Sequence, residues 1–295
     1  MLSRALNSPK YAKKKRRKAV AFLSVLILLL VVIVFIFVLI MRLPAFQIKD
    51  IETNGTTIVS SKMIEEKVLS GLEGQYFGIF PISNVFFYPK NNLEKILKDS
   101  FYEIDNVSIK RSNVSKLNIS IVERTPTAIV CSGFYDESSD NGSSNEENIC
   151  YFSDENAYLY STTSLLSIYN HYYIPDDKKE IMAGIVFMDK TRFNELQDFF
   201  DGAVRGGIAP LGILIGEDGE YEMYMKNIIG KNNTSSSPLP DITIYFDDKK
   251  PFDFTLSNLL TFWKNSMDKA RTSSYPVFDY INLRFGNTIY YLYNE

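Results

Sequence analysis

Residues 116–130 read KLNISIVERTPTAIV. Leu117, Ile119 and Ile121 alternate with Lys116, Asn118 and Ser120, the period of two expected of a strand with one buried face. The alternation stops at Glu123-Arg124-Thr125-Pro126, and an apolar run resumes at Ala128-Ile129-Val130. Proline has no N–H for a sheet ladder and keeps the residue before it extended, so Pro126 marks a strand end, an edge or a change of sheet. A boundary between two folded units explains the interruption. The length of 295 residues exceeds one typical core and suggests about two such units. Glu123 and Arg124 are then expected either to pair across the junction or to be solvated strand-end charges.

Far upstream, Ala19 to Met41 is a run without charge or proline. As a helix it would span roughly 34 Å, enough to cross a bilayer with slight tilt. Residues 1–18 hold eight Lys or Arg and no acid, whereas only Arg42 follows closely, so the positive-inside rule places the tail in the cytoplasm and everything after the span outside. The run is too long for the apolar region of a cleaved signal peptide. Topology alone explains the basic cluster, and no nucleic acid partner is expected. With those eight removed from the 32 basic residues, residues 19–295 carry 24 basic against 35 acidic, a net −11. That balance suits an exterior domain whose partners are proteins.

Between residues 44 and 125 the pattern is strand, helix, helix, strand, strand. Phe46 to Thr53 alternates and ends at the turn signal Asn54-Gly55. Ile64, Val68, Leu69 and Leu72 share a helical face after the possible caps Ser60 and Ser61. Leu93, Ile96, Leu97 and Phe101 make a second face, with Asn91 and Glu94 spaced like a capping box behind Pro89. Val107 and Ile109 begin the strand that turns into 116–123.

From 126 to 295 the expectation is a mixed, mainly antiparallel β domain with two helices, around 191–201 and 256–268. Strands read at 128–131, 149–153, 157–161, 184–188, 211–215, 221–225, 241–246, 278–285 and 288–293, and NNTSSSPLP at 232–240 reads as a connector. The fold class is therefore α+β: basic tail 1–18, transmembrane helix 19–41, a β-α-α-β-β domain 44–125 and a β domain 126–295. Cys131 and Cys150 lie on the oxidising side and bracket a Ser-, Asn- and acid-rich loop, 132–148. A disulfide across its base is the preferred reading, and two buried thiols on neighbouring strands the alternative.

Chemistry is not legible. His171, the only histidine, sits among aromatics in SIYNHYYIP, where packing or exposure is the expectation. No Gly-x-Ser-x-Gly elbow, Walker loop or His-Glu-x-x-His appears. Asp247 and Asp248 are adjacent on a strand and point to opposite faces. Two cysteines without nearby histidines make an incomplete metal site. The expectation is a protein that is not an enzyme, with no cofactor, metal or small-molecule substrate. What remains is binding: the final hairpin, FDYINLRFGNTIYYLYNE, is expected to leave an uncovered strand edge with Tyr290, Tyr291 and Tyr293 beside it.

This order of parts resembles the bacterial divisome family FtsQ/DivIB over nearly the whole chain. IETNG at 51–55, the Glu123-Arg124-x-Pro126-x-Ala128 junction within LNISIVERTPTA, YFSDENAYLY at 151–160 and YINLRFGNTIYYLY at 280–293 carry the resemblance. Three positions depart from the family pattern. Asn156 follows Asp154 where a glycine is common and can itself take the left-handed conformation, Asn282 stands in place of an aspartate, and no proline stands near Tyr102. The resemblance implies that 44–125 is a POTRA domain and that the protein is a single-pass membrane protein at the division septum. It implies a scaffold for septal peptidoglycan synthesis that binds the small coiled-coil partners of the FtsB/DivIC and FtsL type. The partner-binding residues would be Tyr280, Asn282, Arg284, Phe285, Asn287, Thr288, Tyr290, Tyr291 and Tyr293. Two rival readings are a POTRA-containing membrane-anchored chaperone or secretion factor, and a membrane-anchored exterior hydrolase. The first lacks a visible signal peptide, repeats or barrel, and the second lacks a catalytic constellation.

Overall fold

The computed structural model describes residues 9–76, 78, 80–133, 149–164, 169–175, 181–225, 242–270 and 278–293. The loop expected at 132–148, beyond its first two residues, and the connector at 232–240 lie outside the described residues. The described architecture is α+β with five helices and a large mixed sheet.

A 33-residue helix, α1 (Pro9–Met41), carries the apolar run. Its described part reaches back beyond Ala19 to Pro9, through Lys and Arg residues that are good helix formers. Its segment Arg16–Met41 is, by length and composition, able to cross a membrane, an 18-residue window of it having a mean hydropathy of 3.7.

The chain divides into two units, Met1–Glu123 and Arg124–Glu295. In the first, a 3-10 turn at Pro44–Phe46 precedes β1 (Asp50–Asn54), α2 (Ser61–Gly71), a short pair β2 (Gln75–Tyr76) and β3 (Phe80–Pro81), α3 (Lys90–Ser100), β4 (Ile104–Arg111) and β5 (Lys116–Glu123). Strand β5 is central, parallel to β1 and antiparallel to β4. Its alternating residues Leu117, Ile119 and Ile121 are buried against Ile64 and Val68 of α2 and Leu93 and Leu97 of α3. Each such burial contributes about 1.5–3 kcal/mol.

Several local expectations need correction. The first strand begins at Asp50, because Pro44 sets a 3-10 turn through Phe46, whose carbonyl accepts from Val85 N–H at 2.9 Å. Leu69 is exposed and leaves the α2 face to Ile64, Val68 and Leu72. Ser60 is the N-cap of α2 without a side-chain cap bond. The capping box does not form: α3 starts at Lys90, which puts Asn91 inside the first turn, and Glu94 Oε1 accepts instead from Ile109 N–H at 3.0 Å.

The second unit comprises β6 (Ala128–Ser132), β7 (Cys150–Ser153), β8 (Leu159–Thr162), β9 (Asn170–Ile174), α4 (Lys190–Arg205), β10 (Pro210–Ile215), β11 (Glu220–Met225), β12 (Ile242–Asp247), α5 (Phe252–Ala270), β13 (Phe278–Phe285) and β14 (Thr288–Tyr293). They form one nine-stranded sheet in the order β14-β13-β12-β11-β10-β9-β6-β7-β8. Five of the eight pairings are antiparallel and three parallel. Phe193, Leu196 and Phe199 of α4 and Leu259 and Trp263 of α5 share a core with the inward residues of most strands, including Val130, Tyr172, Met223, Ile244 and Ile281. A Cβ on Gly202 or Gly206 of α4 would stand 2.3 Å from Leu256 and 2.1 Å from Leu260 of α5, so the two glycines are the sockets for those leucines.

Two corrections concern this sheet. The strand expected at 184–188 is not one: Gly184 has φ +94° and only Val186 bridges to Tyr158. Strand β9, unexpected from the sequence, lies between β6 and β10 and is parallel to both. It shows no alternation in hydropathy because residues on both of its faces pack, Tyr172 and Ile174 in one cluster and Tyr173 in another.

Candidate functional site

The nine-stranded sheet has two edges, and their treatment differs. Along β8 the segment 184–187 supplies backbone partners: Leu159 N–H donates to Ile185 O at 2.8 Å, and Gly184 N–H to Leu159 O at 2.7 Å. Strand β14 pairs with β13 on one side, and on the other it has no strand partner among the described residues. It is also exposed, with Tyr290 at 52% and Tyr293 at 49%.

The β13–β14 turn closes on Gly286, whose φ of +67° is a left-handed value natural to glycine. Asn287 and Thr288 follow, and Thr288 pairs back onto Phe285. From Thr288 onward the side chains alternate. Ile289 packs on the main core, Tyr291 lies 5.1 Å from the Phe262 ring of α5 and 5.8 Å from Phe278, and Tyr293 stacks on Phe278 at 5.2 Å. Tyr290 falls on the opposite face, edge-on to Phe285 at 4.9 Å. Leu292, 51% exposed, shares that face by the period of two and was missed; counting alternation through TIYYLY would have found it.

Beside that face, Arg284 is fixed from three directions. Its Nη1 donates to Glu220 Oε2 at 3.2 Å, its Nε donates to Asn282 Oδ1 at 3.2 Å, and its guanidinium lies 5.3 Å over the Tyr245 ring. Asn282 Oδ1 also accepts Arg284 N–H at 3.2 Å, so the amide does here what a carboxylate could do. Tyr280 meets Tyr245 edge-on at 6.2 Å. Glu220, Tyr245, Phe262 and Phe278 frame the hairpin but come from distant parts of the chain or from inward positions, and no local signal marks them. Burial raises the Tyr245 pKa, Glu222 adds to this and Arg284 opposes it. Burial also raises that of Tyr293, with a hydrogen bond to Tyr291 adding to it. Both phenols are therefore neutral donors at ordinary pH. The edge combines backbone groups that have no strand partner among the described residues, large aromatic faces and one oriented cation, a combination that can receive an extended strand.

The other singled-out residues fall elsewhere. His171 lies on β9, its Nδ1 3.3 Å from Leu211 O. Asp247 Oδ2 faces Lys249 Nζ at 3.4 Å and Asp248 Oδ2 accepts from Arg192 Nη2 at 2.8 Å, so the two carboxylates serve different partners. Among the described residues no group of three or more His, Cys, Asp or Glu is placed to hold a metal. Cys131 and Cys150 are directly opposite on β6 and β7 and are joined as a disulfide.

At the junction, neither a pair across it nor a solvated end describes the charges. The Glu123 carboxylate accepts N–H groups of Thr57, Ile58 and Val59 at 2.9–3.1 Å and the Thr57 hydroxyl. Arg124 pairs with Asp154, their side chains 14% and 5% exposed, and lies 4.0 Å over the Tyr158 ring. Pro126 stands between β5 and β6. No family model matches this chain, and neither does any curated protein.

Proposed function

We propose that this protein is a membrane-anchored, non-enzymatic scaffold of the divisome, resembling FtsQ/DivIB. Helix α1 is its single membrane span, with the basic tail cytoplasmic, residues 44–125 are a POTRA domain, and the second unit is the exterior docking module. The observation that carries the reading is that β14, flanked by exposed tyrosines, has no strand partner on its outer side among the described residues, in a chain whose other singled-out polar residues are engaged in structural pairs. In this reading the exterior segment of an FtsB/DivIC-type partner, together with FtsL, adds as a strand to β14, with Tyr290 and Leu292 on one face and Tyr291 and Tyr293 on the other. Such an interaction organises septal peptidoglycan synthesis without catalysing it.

The test is affinity purification of the full chain from detergent-solubilised membranes with identification of co-purifying proteins. Recovery of small single-pass coiled-coil division proteins, lost when β14 is altered, supports the reading. Recovery of outer-membrane assembly or secretion components in their place overturns it.

A further inference from the structure

The end of the first unit that adjoins α1 has features which a docking role for β14 does not use. Asn84, 1% exposed, donates its Nδ2 to the carbonyl of Met41, the last residue of α1, at 2.9 Å, and accepts Phe86 N–H on its Oδ1 at 2.9 Å. The final carbonyls of a helix have no intrahelical partner, so this buried amide both satisfies one of them and pins the 83–87 segment to the helix end. Two further backbone bonds hold the same segment, Val85 N–H to Phe46 O at 2.9 Å and Ile48 N–H to Ser83 O at 2.8 Å. Lys49 N–H donates to Ser115 O at 2.9 Å, which brings in the β4–β5 turn. Three chain segments are thus fixed at the point where the chain leaves α1.

Their exposed side chains are of one kind. Leu43, Phe86, Phe87 and Val114 are each 47–49% exposed, an unusual set of apolar groups for turns and linkers. Basic groups interleave with them: Arg42 and Lys49 in the linker, and Arg111, whose guanidinium lies 5.0 Å over the Phe86 ring. Asp50 follows Lys49 as the neighbouring acid. Because the run from Ala19 to Met41 is about one bilayer thickness as a helix, a spanning α1 puts the Met41 carbonyl at the membrane boundary. Groups hydrogen-bonded to it are then within the zone, about 5–10 Å deep, where interfacial apolar side chains reside.

We propose that this end of the first unit is a lipid-binding foot: Leu43, Phe86, Phe87 and Val114 enter the headgroup–acyl boundary of the outer leaflet, and Arg42, Lys49 and Arg111 meet the phospholipid phosphates. The foot holds the first unit against the membrane, with Asn84 as its positioning residue. The proposal rests on the reading of α1 as a membrane span and extends it to the domain that follows.

The full chain is reconstituted into phosphatidylcholine–phosphatidylglycerol vesicles, and an environment-sensitive fluorophore is attached to single introduced cysteines under non-reducing conditions, which keep the native disulfide closed. Phe87→Cys and Val114→Cys probe the foot, Leu30→Cys the middle of α1, and Lys62→Cys the α2 start, beyond the Glu123 end of β5. Lipids carrying a shallow spin-label quencher should lower the emission at 87 and 114 at least about twofold and leave 62 unchanged. Quenching of the Leu30 label by a deep quencher, with 87 and 114 unaffected, overturns the foot and leaves the span standing. No quenching at Leu30 overturns the span itself and the foot with it. Because the fluorophore is apolar, Ser112→Cys is also read with and without Phe86→Ser and Phe87→Ser. Its quenching should fall in the double variant, and unchanged quenching overturns the part assigned to the rings.

Discussion

Glu123 and Arg124 are neighbours in the chain whose side chains are committed to different folding units. The carboxylate of Glu123 closes the 57–59 turn ahead of α2, and the guanidinium of Arg124 grips the β7–β8 turn through Asp154 and Tyr158. One peptide bond thus separates the last anchor of the first unit from the first anchor of the second.

Removing Arg124 should cost more than removing an exposed charge. Asp154 also holds N–H groups of Asn156 and Tyr158, at 2.8 and 3.1 Å, so Arg124→Ala leaves a buried carboxylate without its cation. The expected loss is about 3 kcal/mol, partly recovered in Arg124→Ala with Asp154→Asn. Trp263 is the only tryptophan and sits in the core of the second unit, so its fluorescence during urea unfolding reads this unit selectively.

Glu123 should make the first unit acid-sensitive. Burial alone would raise its pKa, but hydrogen bonds from the Thr57 hydroxyl and the N–H groups of Val59, Thr57 and Ile58 outweigh it and hold the carboxyl below its ordinary value of 4.5. A depressed folded-state pKa means that the stabilisation is complete above the ordinary value and is lost as pH falls through the folded one. The protection factors of the β5 amides, corrected for the pH dependence of intrinsic exchange, should therefore fall in that acid range. Glu123→Gln should flatten the dependence and cost about 1 kcal/mol at neutral pH.

Gly55, whose φ is +87°, should not tolerate a side chain. A Cβ there would lie 2.2 Å from the backbone oxygen of Ile121, which cannot move without disturbing β5. Gly55→Ala should destabilise the first unit by about 2 kcal/mol or more, read by the same exchange measurement.

The Cys131–Cys150 bridge should leave no thiol to label in denatured, unreduced protein. It closes a loop with a sequence separation of 19, so replacing both cysteines by serine should lower the stability of the second unit by about 3 kcal/mol, followed through Trp263. The unit should still fold, because the bridge staples one hairpin beside a core built by α4, α5 and most of the strands.

Backbone amides alternate in direction along a strand, so of Tyr290 and Tyr291 one points its N–H away from β13. Proline at that position should abolish partner recovery while circular dichroism stays native, whereas proline at the other should disrupt the hairpin itself. Tyr290→Ala, exposed and on the Phe285 side, should weaken binding by about 1–2 kcal/mol with little effect on stability. Tyr291→Ala should also loosen the packing on Phe262 and Phe278. Undiminished binding across the native-like variants would place the interface elsewhere.

Much of the architecture could be read without coordinates where periodicity is clean. The alternation of Leu117, Ile119 and Ile121, the helical faces around Leu93 and Leu97 and around Leu259 and Trp263, and the turn at Phe285–Thr288 all depend on spacing within one element. The apolar length of α1 is of the same kind. Strand β9 was not legible because it is packed on both faces, and the 184–188 run misled because Gly184 breaks a segment whose hydropathy resembles a strand.

The composition and spacing of this chain determined an apolar helix of bilayer length, a break in sheet structure at Pro126 and a tyrosine-rich terminal hairpin, because each is written in residues close together. Only the tertiary structure decided that Glu123 bonds to 57–59, that Asn84 caps α1 at Met41, that Arg284 is held by Glu220 and Tyr245, and that β14 and not β8 is the edge without a further backbone partner among the described residues. Those pairings join residues from 39 (284 − 245) to 66 positions apart, or compare strands at opposite ends of a sheet. No local propensity encodes such distances; they are set by which faces the two cores must bury.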